Sequence, residues 1–136
     1  MKKYIWSVLI LSIAVIFAGC TKKEVIRVGT PFNDDGVEGI NFHYEITESK
    51  SIKALREIVK NADEIDKPKE LGKEPEIFFS LDRPKEGISE IRRYVYYQDD
   101  GSSILCSEGV SGPDGFLDMY FSLNENQTNE LKNVLQ

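Results

Sequence analysis

The alternation of apolar and polar residues is cleanest where Ile40, Phe42, Tyr44 and Ile46 interleave with Asn41, His43 and Glu45. A period of two sends successive side chains to opposite faces of a strand, so one face is expected in the core and the other in water. Val25-Ile26-Arg27-Val28 reads as a first strand. Gly29 to Gly39, with Pro31, Asn33, Asp34, Asp35 and Gly36, reads as a loop. The period then changes. Ile52, Leu55, Ile58, Val59 and Ala62 fall at helical spacings, which predicts a main helix from about Glu48 to Asn61 with one apolar stripe. Thr47 is its expected N-cap, with Glu48 in the first turn where the helix dipole favours a negative charge.

Asp63 to Pro75 holds two prolines, a glycine and many charges, and is expected as a loop. Further strands are expected over Glu76 to Leu81, Ile88 to Tyr97, and Ile104 to Glu108. Gln98-Asp99-Asp100-Gly101 is a hairpin turn leading into the last of these. After the glycine-rich stretch Gly109 to Gly115, Phe116 to Leu123 is a strand. Leu117, Met119, Phe121 and Leu123 are its expected core face. Asn124 with Gln127 three residues on resembles a capping box for a short C-terminal helix, whose apolar side is Leu131, Val134 and Leu135. The expected fold class is α+β: an antiparallel sheet of four to five strands drawn from these six segments, with one main helix packed on one face and a short C-terminal helix.

The N-terminus has a different pattern. Met1-Lys2-Lys3 is basic, and Tyr4 to Phe17 is an apolar run broken only by Ser7 and Ser12. Ala18-Gly19-Cys20 then supplies small residues beside a cut site. Over residues 1 to 20 this resembles the lipobox of bacterial lipoprotein precursors, with Phe17 where that family prefers Leu. The resemblance implies cleavage before Cys20 and a diacylglyceryl group on its thiol. Tyr4 to Ala18 would reach only roughly 22 Å as a helix at about 1.5 Å per residue. A hydrocarbon core of about 30 Å calls for nearer 20 apolar residues, so a spanning helix is the poorer reading. The expected organisation is a signal peptide over 1–19, a lipidated tether over 20–24, and a single α+β domain over 25–136. The expected location is the extracytoplasmic face of the cell membrane, held by a diacylglyceryl group on Cys20 with palmitate among its acyl chains. Two acyl chains suffice for stable attachment.

The strand Ile40 to Ile46, the helix carrying Ile52-Lys53-Ala54-Leu55, and Tyr120-Phe121-Ser122-Leu123 before Leu131 and Leu135 follow that lipobox. Together they resemble the small lipoproteins of low-GC Gram-positive bacteria with a YhfM-like domain. The resemblance implies fold and location and adds no catalytic site.

Charge and cysteine content narrow the chemistry. The 17 basic side chains, less Lys2 and Lys3, stand against 23 acidic ones, a net charge of −8 for the mature chain. Such a surface repels nucleic acid and anionic lipid at long range, so no nucleic-acid partner is expected. With Cys20 acylated, Cys106 is the one remaining thiol and no internal disulfide can form. Beside Ile104 and Leu105 it reads as a buried structural thiol. His43, the single histidine, lies on a polar strand face, and no spacing brings it to Cys106 as a nucleophile pair would need. One His and one Cys do not make a zinc site. EF-hand registers fail as well. Gly36 as sixth residue puts Pro31 first and Phe42 twelfth, and Gly101 as sixth puts Tyr96 and Ser107 there. Gly109 to Gly115 lacks the lysine of a P-loop. No catalytic residue, metal or cofactor is assigned, and the chain is not expected to be an enzyme.

One constellation suggests binding. Phe78, Tyr94, Tyr96, Phe116 and Tyr120, with Arg92 nearby, alternate on the strand faces opposite the expected core. Tyrosine and arginine bury area while keeping a polar tip, which suits recognition of a peptide, glycan or protein. The same residues would also arise as ordinary cross-strand aromatic pairs, or as the bed of the C-terminal helix. The functional expectation is a non-catalytic binding or accessory module at the cell surface, with the membrane and an unidentified protein or envelope component as partners. An inhibitor or immunity lipoprotein that sequesters a toxic peptide or extracellular enzyme is the alternative. An envelope hydrolase ranks last, because no carboxylate pair stands out.

Overall fold

The computed structural model describes residues 23–112 and 115–136, with the side chains of 110–112, 115 and 116 outside the description. Seven strands form one antiparallel sheet: β1 (Val25–Asp34), β2 (Val37–Ile46), β3 (Asp63–Ile65), β4 (Ile77–Arg83), β5 (Ile88–Tyr97), β6 (Ser103–Gly112) and β7 (Gly115–Leu123). Their spatial order is β2-β1-β4-β5-β6-β7-β3. Two helices complete the domain: α1 (Ser49–Lys60) between β2 and β3, and α2 (Glu125–Val134) after β7. The class is α+β as expected, but the sheet is wider than the four to five strands anticipated.

Two of the differences have local causes. The segment read as a loop over Gly29 to Gly39 is an extended hairpin. Beyond Gly29, β1 pairs with β2 only, so Pro31 can lack an N–H on the side where no strand lies. The chain reverses at Asp35 and Gly36, both at positive φ (48° and 83°), the geometry of a tight hairpin turn. The one strand not anticipated, β3, has only three residues and two are acidic. It is too short for alternation to show, yet it pairs with β7 through Asp63↔Ser122, Glu64↔Phe121 and Ile65↔Tyr120. Short, charged strands are how sheets blunt their edges.

Helix α1 begins one residue later than the Thr47 cap would set it. The Ile52 N–H bonds the carbonyl of Glu48, so Glu48 is the N-cap, and its side chain makes no capping bond. At α2 the expected box is present: Asn124 accepts from the Gln127 N–H at 2.9 Å, and Gln127 accepts from the Asn124 N–H at 2.9 Å. Gln127 also donates to the Asn61 carbonyl at the end of α1, which links the two helices.

A single buried cluster joins both helices to alternate strand residues. Ile52, Leu55 and Ile58 of α1 and Leu131 and Leu135 near α2 meet Ile26, Val28, Phe79, Leu81, Ile91, Val95, Leu105 and Leu123. Leu55 is fully buried, and burial of such a side chain stabilises by about 1.5–3 kcal/mol over leaving it in water.

Strand β2 departs from its expected alternation. Val28 pairs with Tyr44 but Gly29 pairs with Phe42, so His43 is an extra residue in a bulge. The bulge puts Phe42 and Tyr44 on opposite faces despite their two-residue spacing. Tyr44 donates to the Leu135 carbonyl on the helix side, while Phe42 meets Phe78 on the other. Both rings are about half exposed, and Ile46 alone of the expected four packs against the core cluster. Leu117 likewise does not join the core. The β6–β7 register shifts between Ser107 and Val110, and Leu117 beyond that shift is 50% exposed.

Candidate functional site

Cross-strand pairing assembles the sheet face away from the clustered core. Following partners from edge to edge gives one row: Phe42, Gly29, Phe78, Tyr94, Cys106, Tyr120 and Ile65. A second row runs Tyr96, Ile104, Ser122 and Asp63, and a third holds Arg27, Ser80 and Arg92. Phe78, Tyr94, Tyr96, Tyr120 and Arg92, picked out by alternation, therefore share this face. Phe116 lies in β7 with its side chain outside the described residues, and Cys20 lies outside them altogether.

The face is not a flat aromatic plate. Phe78 is 1% exposed, held edge-on by Phe42 (ring centroids 6.1 Å apart) and Tyr94 (5.1 Å), with the Arg92 guanidinium 5.1 Å from its centroid. Tyr120 and Cys106 are also buried. These residues form a floor. Burial pushes the Cys106 thiol up to about 11, with Asp118 adding to the effect, so the sulfur stays protonated and unreactive at neutral pH. Leu131 of the C-terminal helix sits in the core cluster.

Tyr94 and Tyr96 are half-buried and form one side of a cleft of about 440 Å³. Three other segments meet them there. The curled β1–β2 hairpin brings Pro31, Phe32, Asn33, Glu38 and Gly39, the loop before β4 brings Glu74 and Pro75, and β6 brings Glu108. The hairpin strands approach closely at Gly29, where a Cβ would lie 2.7 Å from Ile40 Cγ2 and 2.8 Å from the Asn41 carbonyl oxygen. The loop is fixed at its end by the Glu76 N–H bonding the Val95 carbonyl and by Lys73 donating to the Tyr97 carbonyl.

Electrostatics in the cleft are one-sided. Burial first, then the neighbouring Asp118 and Glu38 charges, raise the Glu108 carboxyl above its ordinary value, against the lowering influence of Tyr94 and Arg92. Burial, then Glu108, raises Tyr94, and burial pushes Tyr96 up to about 12. Both phenols are therefore neutral donors at physiological pH.

Compared with protein-family models, curated proteins and solved structures, the chain matches none.

The remaining sequence candidates are dispersed. His43 Nε2 lies 2.7 Å from Thr30 Oγ1 on the exposed hairpin, remote in sequence and register from Cys106. Asp82, the buried carboxylate, accepts from Ser80 and Ser89 at 2.9 and 2.6 Å, with Arg27 3.6 Å away, so its oxygens are occupied. Among the described residues no group of three or more His, Cys, Asp or Glu side chains could hold a metal ion. A second recess of about 600 Å³ lies where the described chain begins, between Lys23, Glu24, Thr47, Ser49, Ile52, Lys53 and Arg56. Arg56 there is tied to Glu24 and to Glu90.

Sequence reasoning found the tyrosines but missed Phe42, Phe32, Glu38, Glu74 and Glu108. Glu108 was accessible to it, because it continues the Ile104–Cys106 alternation onto the tyrosine face. The others depend on the bulge, the hairpin curl and the loop path.

Proposed function

We propose that this chain is a lipid-anchored lipoprotein on the extracytoplasmic face of the membrane, related to the YhfM-like group, whose domain is a non-catalytic binding module. The anchor rests on the Ala18-Gly19-Cys20 cut site and the apolar run before it. In this reading the two helices cover one face of the sheet, and the other face is left for a partner. The observation that carries the binding role is the cleft over Tyr94 and Tyr96, walled by three segments far apart in sequence. A concave site with a few converging polar groups on a rigid sheet is the usual form of a recognition site.

Cys20 lies five residues before β1, and the cleft gathers at Pro31 to Asn33, about seven residues further along the strand. At about 3.3 Å per residue that is roughly 23 Å of extended chain between the first residue of β1 and the cleft. Sequestration of a toxic peptide or an extracellular enzyme is the second reading, favoured by the three glutamates at the cleft.

Mass spectrometry of the native protein tests the anchor. The expected N-terminal peptide begins at an acylated Cys20, and Cys20→Ala leaves the chain uncut. An unmodified cysteine would refute it. For the cleft, Tyr94→Ser with Tyr96→Ser should abolish the phenotype of the native gene, and Tyr96→Ser alone, which keeps the Tyr94–Phe78 contact, should weaken it. An unchanged phenotype would remove the site.

A further inference from the structure

We propose that the cleft takes an arginine side chain presented by a partner polypeptide, its guanidinium against Tyr94 and Tyr96 and paired with Glu74 and Glu108. The inference rests on the reading of the cleft as a binding site and names its ligand class.

Among the described residues, three glutamates, Glu38, Glu74 and Glu108, line the cleft, and no lysine or arginine does. They come from β2, the 66–76 loop and β6, so three independent segments converge with one sign of charge. Arg92, the cation whose charge acts on Glu108, is seated over the Phe78 ring and only partly offsets it, while Asp118 adds a further negative charge. Like charges drawn together are unfavourable unless a cation joins them. A bare metal ion does not fit, because these carboxylates do not gather into a group that could hold one. The counter-ion has to be larger than a metal and able to reach separated carboxylates.

The tyrosines narrow the choice further. An ammonium is a compact, strongly hydrated charge with no planar face to stack on a ring. A guanidinium is planar, weakly hydrated and forked. It stacks on an aromatic face and pairs with a carboxylate through two parallel bonds. Its apolar stem needs a dry wall, which Pro31, Phe32 and Pro75 supply. The net charge of −8 on the mature chain would draw a basic partner to this surface from a distance.

The experiment follows the ring signals of Tyr94 and Tyr96 by NMR in the full mature chain during titration with acetyl-Gly-Arg-Gly-amide. The Lys and Glu analogues and spermidine are the comparison probes. The expected result is a saturable shift with the Arg peptide, at least about fivefold weaker binding of the Lys peptide and spermidine, and no response to the Glu peptide. Glu108→Gln and Glu74→Gln should each weaken the Arg peptide about fivefold to tenfold, the size of one charge-assisted bond. Glu74 lies on an exposed loop, so its variant keeps the test valid if Glu108→Gln alters folding. Equal binding of spermidine or the Lys peptide overturns the guanidinium assignment, as does binding that survives both glutamine variants. A response to the Glu peptide instead overturns the charge argument while leaving a binding cleft. Silence of both rings to every probe overturns the proposal.

Discussion

Phe78→Ala probes whether the tyrosine-bearing face of the sheet is a packed floor or a set of surface rings. Phe78 is 1% exposed although it points away from the main core, so its burial comes from Phe42, Tyr94 and Arg92. Truncating a buried phenylalanine costs about 3–5 kcal/mol, made up of lost transfer energy and the cavity left behind. The two edge-on ring contacts and the guanidinium contact lie within that total. Phe42 is half exposed and Arg92 is on the surface, so both can settle into part of the space. The expected loss is therefore near the lower bound, about 3 kcal/mol. At a urea slope of about 1.5 kcal/mol/M, the unfolding midpoint falls by about 2 M. Phe32→Ala is the control, because that ring is 45% exposed at the cleft, and its loss should stay below about 1 kcal/mol. A Phe78→Ala loss under about 1 kcal/mol would refute the packed-floor reading.

Three further outcomes follow from the same geometry. Gly29→Ala should destabilise the hairpin and disturb the cleft, since its Cβ would meet backbone at 2.8 Å; unchanged melting and unchanged tyrosine signals would contradict the close approach. Cys106 should resist alkylation at pH 8 in the folded state and react freely in urea, because its thiol is pushed up to about 11; rapid stoichiometric labelling of the native protein would contradict this. Glu108 has a raised carboxyl in the fold, so the folded state binds the proton more tightly than the unfolded state. Its contribution favours folding at low pH and is lost as pH rises from the unfolded value through the raised folded one. Glu108→Gln should flatten that part of the stability profile, and an unaltered profile measured by urea unfolding across that range would argue against it.

Much of the fold was legible because its signals are local. The stripe Ile52, Leu55, Ile58 fixes a helix within one turn of its observed start, and Asn124 with Gln127 closes a cap by direct hydrogen bonds. The Gln98–Gly101 turn closes with the Gly101 N–H on the Gln98 carbonyl. What escaped depends on contacts made only in three dimensions. The His43 bulge inverts Phe42 relative to Tyr44, and no periodicity of β2 shows it, because the extra residue is defined by its partner strand. Asp63–Ile65 is a strand only because β7 offers an open edge. The same holds for the site. Tyr94 and Tyr96 were found by parity within one strand, but their partners Phe32, Glu38 and Glu74 arrive through a curled hairpin and a crossing loop. Their composition alone reads as turn and solvated charge.

A photo-cross-linking residue at position 96, in the lipidated protein within intact cells, tests the central claim most directly. Position 50, exposed on α1, serves as the control. A binding cleft on an anchored domain predicts one discrete membrane-associated adduct from position 96, weakened by Glu74→Gln and absent from position 50. No adduct at 96, or the same products from both positions, would contradict it.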